Sequence, residues 1–198
     1  RARLSGPALT PQDADYDTAR QPWNLTVDQH PALIVLAETS RDVSEAIHFA
    51  NAHGLEVAVK AAGHGTLREA NGSLLIVTSQ MTDVIVNAAA GTAWVSAGAK
   101  WGRVLEQTQA VGLAPLLGSS PDVGAVGYTL GGGMGWLARK YGLSTDSVNR
   151  FELITADGQM VNASATENAD LFWGLRGGGG NFGVVTGMEI QLYPVATI

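Results

Sequence analysis

Three glycine-bearing segments carry the residue types best suited to chemistry in this chain. They span residues 60–65, 118–135 and 177–183, and each is nearly free of charged side chains. Glycine permits positive φ and lets backbone N–H groups approach a ligand without a Cβ in the way. Consecutive amides in such turns form an anion-binding concavity. The three segments favour one extended polyphosphate ligand held by the main chain; the alternative is ordinary turns in a glycine-rich domain.

Other catalytic patterns are missing from the sequence or poorly placed. The chain has no cysteine, which excludes disulfides, thiolate nucleophiles and cysteine-ligated metals. It has no Walker A motif, no G-x-S-x-G elbow and no H-x-x-x-H pair, so serine hydrolysis and zinc catalysis lack support. Residues 133–138 match the Rossmann pattern G-x-G-x-x-A, with Asp157 downstream. Residues 125–130 before it are interrupted by Gly127 and are not typical of a central strand, so an NAD(P)-dependent reductase is a less favoured alternative.

The composition excludes several classes of protein. Of 198 residues, 45% are hydrophobic and 15% are charged, which excludes intrinsic disorder. Twelve Lys and Arg against 18 Asp and Glu give a net charge of −6, which argues against nucleic acid or an anionic membrane as the partner. No run of about 18 apolar residues is present, so no transmembrane helix is expected. Glycine is over-represented, at 25 residues where roughly 14 are typical.

Hydrophobic periodicity predicts a mixed α+β fold with two lobes. Helices are predicted between Ser40 and Gly54 and over residues 100–111, 136–141 and 168–175. Strands are predicted over residues 33–37, 57–59, 74–77, 84–87, 93–97, 148–156, 160–161 and 184–193. We expect each lobe to be a small mixed sheet flanked by helices, with residues 18–112 in the first lobe and 113–198 in the second. Residues 1–17 are expected to form a loose N-terminal arm.

Taken together, the motifs resemble those of a known family. Lys60-Ala61-Ala62-Gly63-His64 is similar to its R-x-x-G-H motif, and residues 130–135, 140–143 and 170–185 match three further characteristic stretches. The chain resembles the FAD-binding (PCMH-type) domain of the vanillyl-alcohol oxidase superfamily, and within it the berberine bridge enzyme-like oxidases. The resemblance covers about residues 16–193. It implies a two-lobed FAD-binding domain as the fold.

His64 is the residue for which the resemblance implies a covalent bond to FAD. Members of the family attach the 8α-methyl carbon of the flavin to a histidine at this position, and the chemistry requires a neutral imidazole acting on the quinone-methide tautomer of the flavin. The alternative is a surface or backbone-capping histidine. Residues 61–67 are expected to bind the pyrophosphate through backbone amides. Lys60 replaces the usual arginine, which keeps the charge but loses the fork geometry.

The second glycine-rich segment departs from the family pattern. Many relatives form a second flavin link through the cysteine of a C-P-T-V-G motif, and Ser120 holds that position here. Serine cannot form the thioether, so we expect a single covalent link, through His64. Val123 matches the small gatekeeper residue that the family associates with oxygen access, which favours an oxidase over a dehydrogenase. Tyr128 replaces a frequent histidine and is a possible catalytic residue.

The full set of predicted cofactor-binding residues follows from these motifs. Asp146 is included, with a simple helix cap as its alternative role. No metal ligands are predicted. Trp101, Trp136 and Trp173 could stack on a ligand, but such residues are more often part of the core. The predicted residues are Lys60, Ala61, Ala62, Gly63, His64, Gly65, Thr66, Leu67, Ser120, Pro121, Val123, Gly124, Gly127, Tyr128, Leu130, Gly131, Gly132, Gly133, Gly135, Asp146, Gly180, Asn181, Gly183, Val184 and Val185.

The resemblance also implies what the protein does. We expect the FAD-binding part of an oxidase that passes a hydride from a small alcohol, sugar or amine to covalently held FAD and then to oxygen, releasing peroxide. A further C-terminal domain is expected to supply the substrate pocket and the catalytic base. The alternative is a stand-alone FAD-binding module without turnover. The expected location is the cytoplasm, with secretion as the alternative.

Overall fold

The fold is built from two β-sheets with helices packed against them. A computed structural model describes residues 4–66 and 68–195 of the chain. No helix within these ranges is long and apolar enough to cross a membrane. The cytoplasmic location stays a prediction.

The first sheet has four short strands and carries the first glycine-bearing segment at one strand end. In spatial order the strands are β1 (Ala8–Leu9), β2 (Leu33–Leu36), β4 (Leu74–Val77) and β3 (Val57–Lys60). The last three run parallel, and β1 pairs antiparallel with β2 at the edge. Because the carboxyl ends of parallel strands meet at one edge, the segment after β3 lies beside the residues that follow β4.

Two helices accompany the first sheet, α1 (Tyr16–Arg20) and α2 (Ser40–His53). The start of α2 is set by a capping box in which Thr39 and Asp42 each accept the other's backbone N–H. Its end is set by Gly54, which adopts the left-handed conformation at φ 65°. The apolar face of α2 packs on the sheet, and the strand, helix and strand predicted between residues 33 and 59 are confirmed as β2, α2 and β3.

The second sheet is antiparallel throughout and has five strands. In spatial order they are β5 (Val84–Asn87), β6 (Thr92–Ser96), β9 (Val184–Gln191), β7 (Val148–Ile154) and β8 (Met160–Ser164). The accompanying α-helices are α3 (Trp101–Gln109), α4 (Ala125–Leu130), α5 (Ala138–Tyr141) and α6 (Ala169–Leu175), and 3-10 helices span Ser144–Ser147 and Gly179–Phe182.

The two lobes share both apolar and polar contacts. Ile154 and Val184, from the second sheet, belong to the same buried cluster as the apolar face of α2. Ser44 Oγ donates a 2.6 Å hydrogen bond to the carbonyl of Gly158, in the turn between β7 and β8. Asn51 Nδ2 donates a 2.7 Å hydrogen bond to the carbonyl of Ala156 in the same turn. The two lobes are therefore in direct contact through α2 and the turn between β7 and β8.

Three expectations from the sequence are wrong. Residues 4–17 are not a loose arm, because β1 pairs with β2 and Tyr16 is buried with its hydroxyl bonded to the carbonyl of Pro31. The chain passes to the second sheet before β5, not near Gly112, because β6 pairs with β9 almost a hundred residues later. Residues 125–130, for which no element was expected, form α4, whose buried apolar side chains outweigh the helix-weakening effect of its internal glycine.

Candidate functional site

The three glycine-bearing segments line a cleft between the two lobes. It consists of two adjoining cavities with volumes of about 570 and 830 Å³. Val59, Ala61, Gly65 and Gly127 line both cavities, so the cavities form one continuous cleft. All three segments singled out in the sequence contribute to its walls.

Most of the residues predicted from the sequence line this cleft. Leu67 lies outside the described residues. Those at the first cavity are Lys60, Ala61, Ala62, Gly63, His64, Gly65, Thr66, Val123, Gly124, Gly127 and Tyr128. Those at the second cavity, besides the shared ones, are Leu130, Gly131, Gly180, Asn181, Gly183, Val184 and Val185.

Six predicted residues line neither cavity: Ser120, Pro121, Gly132, Gly133, Gly135 and Asp146. Pro121 packs against the start of α3, where its carbonyl accepts the N–H of Gly102 at 2.9 Å. Asp146 accepts the N–H of Leu143 at 2.8 Å and caps the 3-10 helix Ser144–Ser147, which is the alternative role expected for it.

Two of these glycines are required by packing inside the second lobe. A Cβ on Gly133 would lie 2.6 Å from both the Ser144 Cβ and the Tyr128 ring. A Cβ on Gly135 would lie 2.0 Å from the carbonyl oxygen of Leu117. The G-x-G-x-x-A pattern also follows helix α4 instead of a strand, and α5 has only four residues. The structure therefore does not give this pattern the strand-turn-helix context of a Rossmann site.

The loop after β3 is shaped by Gly63, which has a φ of 72°. A Cβ at this position would lie 2.9 Å from the Pro22 Cα and 3.1 Å from the Trp23 backbone nitrogen. Both the positive φ and the close approach therefore require glycine. The approach brings residues 21–24 directly over the loop that carries His64.

The His64 ring is stacked on the indole of Trp23. The ring centroids are 4.1 Å apart and the planes are 18° from parallel. Trp23 is also held by its backbone, because its N–H donates to the Gly63 carbonyl at 3.2 Å. Within the described part of the chain, no hydrogen bond or ion pair holds the imidazole, so its edge nitrogens stay available for chemistry.

Lys60 lines the first cavity, but its ammonium group has protein partners. Nζ donates to the carbonyls of Ala19 at 2.6 Å and Gln21 at 2.7 Å. Burial lowers the pKa of Lys60 to about 8. Lys60 was predicted to bind the cofactor. Its ammonium group instead holds the backbone of the segment before Trp23.

Two further glycines bring the segments together. A Cβ on Gly124 would lie 3.6 Å from the Ala61 side chain and 3.7 Å from that of Ala62, so the second segment rests on the first. Gly183 has a φ of 144°, and a Cβ there would lie 2.6 Å from the carbonyl oxygen of Ile154. The third segment can therefore reach the cleft only with glycine at this position.

Several cleft residues were missed from the sequence. Gln29 and Arg68 line the first cavity, and Asn51, Thr78 and Thr155 line the second. Thr78 directly follows β4, so its place at a strand end was a usable signal. Thr155 likewise directly follows β7, whereas Gln29, Arg68 and Asn51 belong to no motif and reach the cleft only through the tertiary fold. No cluster of three or more metal-ligating side chains forms among the residues that the structure describes.

Comparison with known proteins decides the family. The sequence profile described as "FAD binding domain" matches residues 31–164. The chain belongs to this FAD-binding domain family. It is 34% identical to (R)-6-hydroxynicotine oxidase of Paenarthrobacter nicotinovorans, over 96% of this chain and 42% of the relative. It is 35% identical to carbohydrate oxidase of Microdochium nivale, over 97% of this chain and 40% of the relative.

The structural comparison agrees with this assignment. The BBE-like 1 protein of Physcomitrella patens superimposes with a TM-score of 0.90 at 30% identity, over 98% of this chain and 43% of that protein. The FAD-binding domain described here thus has the PCMH-type fold of the berberine bridge enzyme-like proteins, and the resemblance seen in the motifs is confirmed. The chain spans about two fifths of the length of these relatives.

The cleft of this FAD-binding domain offers polar groups suited to the cofactor. Tyr128 Oη and Thr78 Oγ1 are buried and have no hydrogen-bond partner among the described residues, although both residues line the cleft. The Tyr128 Oη lies beside Gly118 and Gly135, which line neither cavity, so Thr78 Oγ1, directly after β4, is the hydroxyl that a ribityl, ribose or phosphate oxygen would satisfy. Burial raises the pKa of the Tyr128 phenol, so it stays protonated and able to donate. The residues present fit a dinucleotide.

Proposed function

We propose that this chain holds FAD along the continuous cleft, with the flavin end in the first cavity and the adenine end in the second. The support is the convergence of the three glycine-bearing segments on that cleft. His64 is in the first cavity, whereas Gly180, Asn181 and Gly183 are in the second. Backbone amides at Ala61, Gly65 and Gly127, where the cavities meet, would face the pyrophosphate.

We further propose a single covalent link between His64 and the 8α carbon of FAD. His64 has an edge free of described hydrogen bonds and a ring plane set by Trp23. Ser120 holds the position of the second attachment in other members and lies outside both cavities, so no thioether is expected. The protein's contribution is orientation and electrostatics, since FAD supplies the hydride chemistry when bound.

The reaction we propose is the oxidation of a small alcohol, sugar or amine, with oxygen as acceptor and peroxide as product. Support comes from relatives that are named a hydroxynicotine oxidase and a carbohydrate oxidase. Val123 lines the first cavity, where a small gatekeeper would let oxygen reach the flavin. We assign the substrate pocket and the catalytic base to the region of the relatives that this chain does not cover.

The test is the visible spectrum of the purified chain before and after acid precipitation. We expect flavin absorbance that stays with the precipitated polypeptide, and His64→Ala should release that absorbance into the supernatant. Flavin that stays with the His64→Ala polypeptide would contradict the covalent role. A peroxide assay over a panel of sugars, alcohols and amines then separates an oxidase from a module that binds FAD without turnover.

A further inference from the structure

Residues 21–24 form a short strap across the loop that carries His64. The strap is held at three points. Lys60 Nζ binds the carbonyls of Ala19 and Gln21 on its N-terminal side. Pro22 packs on Gly63, where there is no room for a Cβ. Trp23 donates its backbone N–H to the carbonyl of Gly63.

The strap is also anchored at its base. Arg20 forms ion pairs with Asp17 at 2.7 Å and with Asp28. Buried Gln29 donates its side-chain amide to the carbonyl of Arg20 at 2.5 Å and accepts the N–H of Ala70 at 3.3 Å. The backbone is thus fixed from Ala19 to the N–H of Trp23.

The side chain of Trp23 is not part of the hydrophobic core. It is 63% exposed, which is unusual for an indole, and its ring contact is with His64. A side chain this exposed adds little to folding, yet hydrogen bonds to the carbonyls of Ala19, Arg20 and Gln21 and from the N–H of Trp23 hold its backbone in place. The stack is face to face, so it fixes the plane of the imidazole while both edge nitrogens stay uncovered.

We infer that Trp23 is a positioning residue for the attachment of FAD to His64. The inference rests on the covalent link proposed above. A reacting group that is held in one orientation reacts faster than one that rotates freely. Without the indole, the His64 side chain has no described partner to limit its rotamers. We therefore expect Trp23 to accelerate the formation of the bond between His64 and FAD. It is not needed for FAD to enter the cleft.

Trp23 assists the oxidative formation of the bond between His64 and FAD. A nitrogen of His64 forms a bond to the 8α carbon of FAD. That carbon gives up one hydrogen, and the imidazole gives up its N–H hydrogen. The two protons and two electrons pass to molecular oxygen, which becomes hydrogen peroxide. Trp23 takes no part in this exchange and keeps the imidazole plane in place.

The experiment measures the rate of covalent attachment after FAD is added to apoprotein produced under riboflavin limitation. Acid-precipitable flavin fluorescence is followed over time for the wild type, Trp23→Ala, Trp23→Phe and the control Trp173→Ala. Trp173 is also exposed, at 76%, but its ring is not stacked on His64. We expect Trp23→Ala to be slower by roughly tenfold, within the range that misplacing a reacting group costs. Trp23→Phe and Trp173→Ala should stay close to the wild type.

A second readout tests the stack without any flavin. The imidazole C–H resonances of His64 in the apoprotein should show an upfield ring-current shift in the wild type and Trp23→Phe, and lose it in Trp23→Ala. Circular dichroism confirms that each variant is folded. Equal attachment rates in the wild type and Trp23→Ala would overturn the inference while leaving the covalent link intact, as would a missing ring-current shift. A wild type that never attaches FAD would overturn the link itself, and this inference with it.

Discussion

Substituting Gly63 by alanine tests whether the close approach of the strap matters for the site. Gly63 has a φ of 72°, and its missing Cβ would lie 2.9 Å from the Pro22 Cα. Gly72 is a matched control, because its φ is 70° but a Cβ there would meet no atom within 4 Å. An alanine in the left-handed region costs roughly 1–2 kcal/mol. Both variants should therefore lose that much free energy of unfolding from backbone strain.

Only Gly63→Ala should also displace the strap. The Cβ overlaps backbone atoms of Pro22 and Trp23, which cannot rotate away as a side chain could. We expect a further loss of about 1 kcal/mol or more in urea unfolding, together with slower covalent attachment of FAD. Gly72→Ala should attach FAD at the wild-type rate. Equal attachment rates in the two alanine variants would refute the reasoning, because strain alone would then account for both.

Three other perturbations test separate parts of the site. Thr78→Val removes a buried, unpaired hydroxyl, so apoprotein stability should rise by about 1 kcal/mol while FAD binds more weakly; a drop in apoprotein stability would contradict this. The pKa of Lys60 is about 8 in the folded chain, against about 10.4 when unfolded. Between these values the unfolded state binds more protons, so the free energy of unfolding should rise with pH for the wild type relative to Lys60→Met and stay flat below pH 8. In Gly183→Ala, the 2.6 Å approach to the Ile154 carbonyl should weaken FAD binding at the second cavity, measured by calorimetry with ADP, whereas unchanged ADP affinity would argue against an adenine end there.

Much of the fold can be predicted because the local signals agree with the tertiary structure. Apolar runs at β2, β4, β5 and β9 appear as strands, and α2 has both its capping box and its terminal glycine. The elements that were missed depend on distant partners. β1 has two residues and exists because β2 lies beside it. α4 is a helix because Ala125, Val126 and Leu130 are buried in the second core.

The site was predicted in outline for a physical reason. The first segment directly follows β3, and the other two are visible in the sequence as dense runs of glycine with almost no charge, so the lining of the cleft could be predicted in outline. Side chains that reach the cleft from elsewhere leave no such signal, so Gln29, Arg68 and Asn51 were missed. A glycine in the sequence does not by itself indicate a ligand site, since Gly133 and Gly135 are required by packing and not by a ligand. Pairing across a hundred residues, which placed β6 in the second lobe, has no local signal at all.

We propose that a single imidazole, that of His64, carries FAD in a cleft lined by glycine-rich loops. The most direct measurement is mass spectrometry of a proteolytic digest of the purified chain. We expect the mass of FAD on the peptide that contains His64, with fragment ions locating it on the imidazole, and on no other peptide. A digest in which the His64 peptide is unmodified, or in which flavin is attached to a different side chain, would contradict the account.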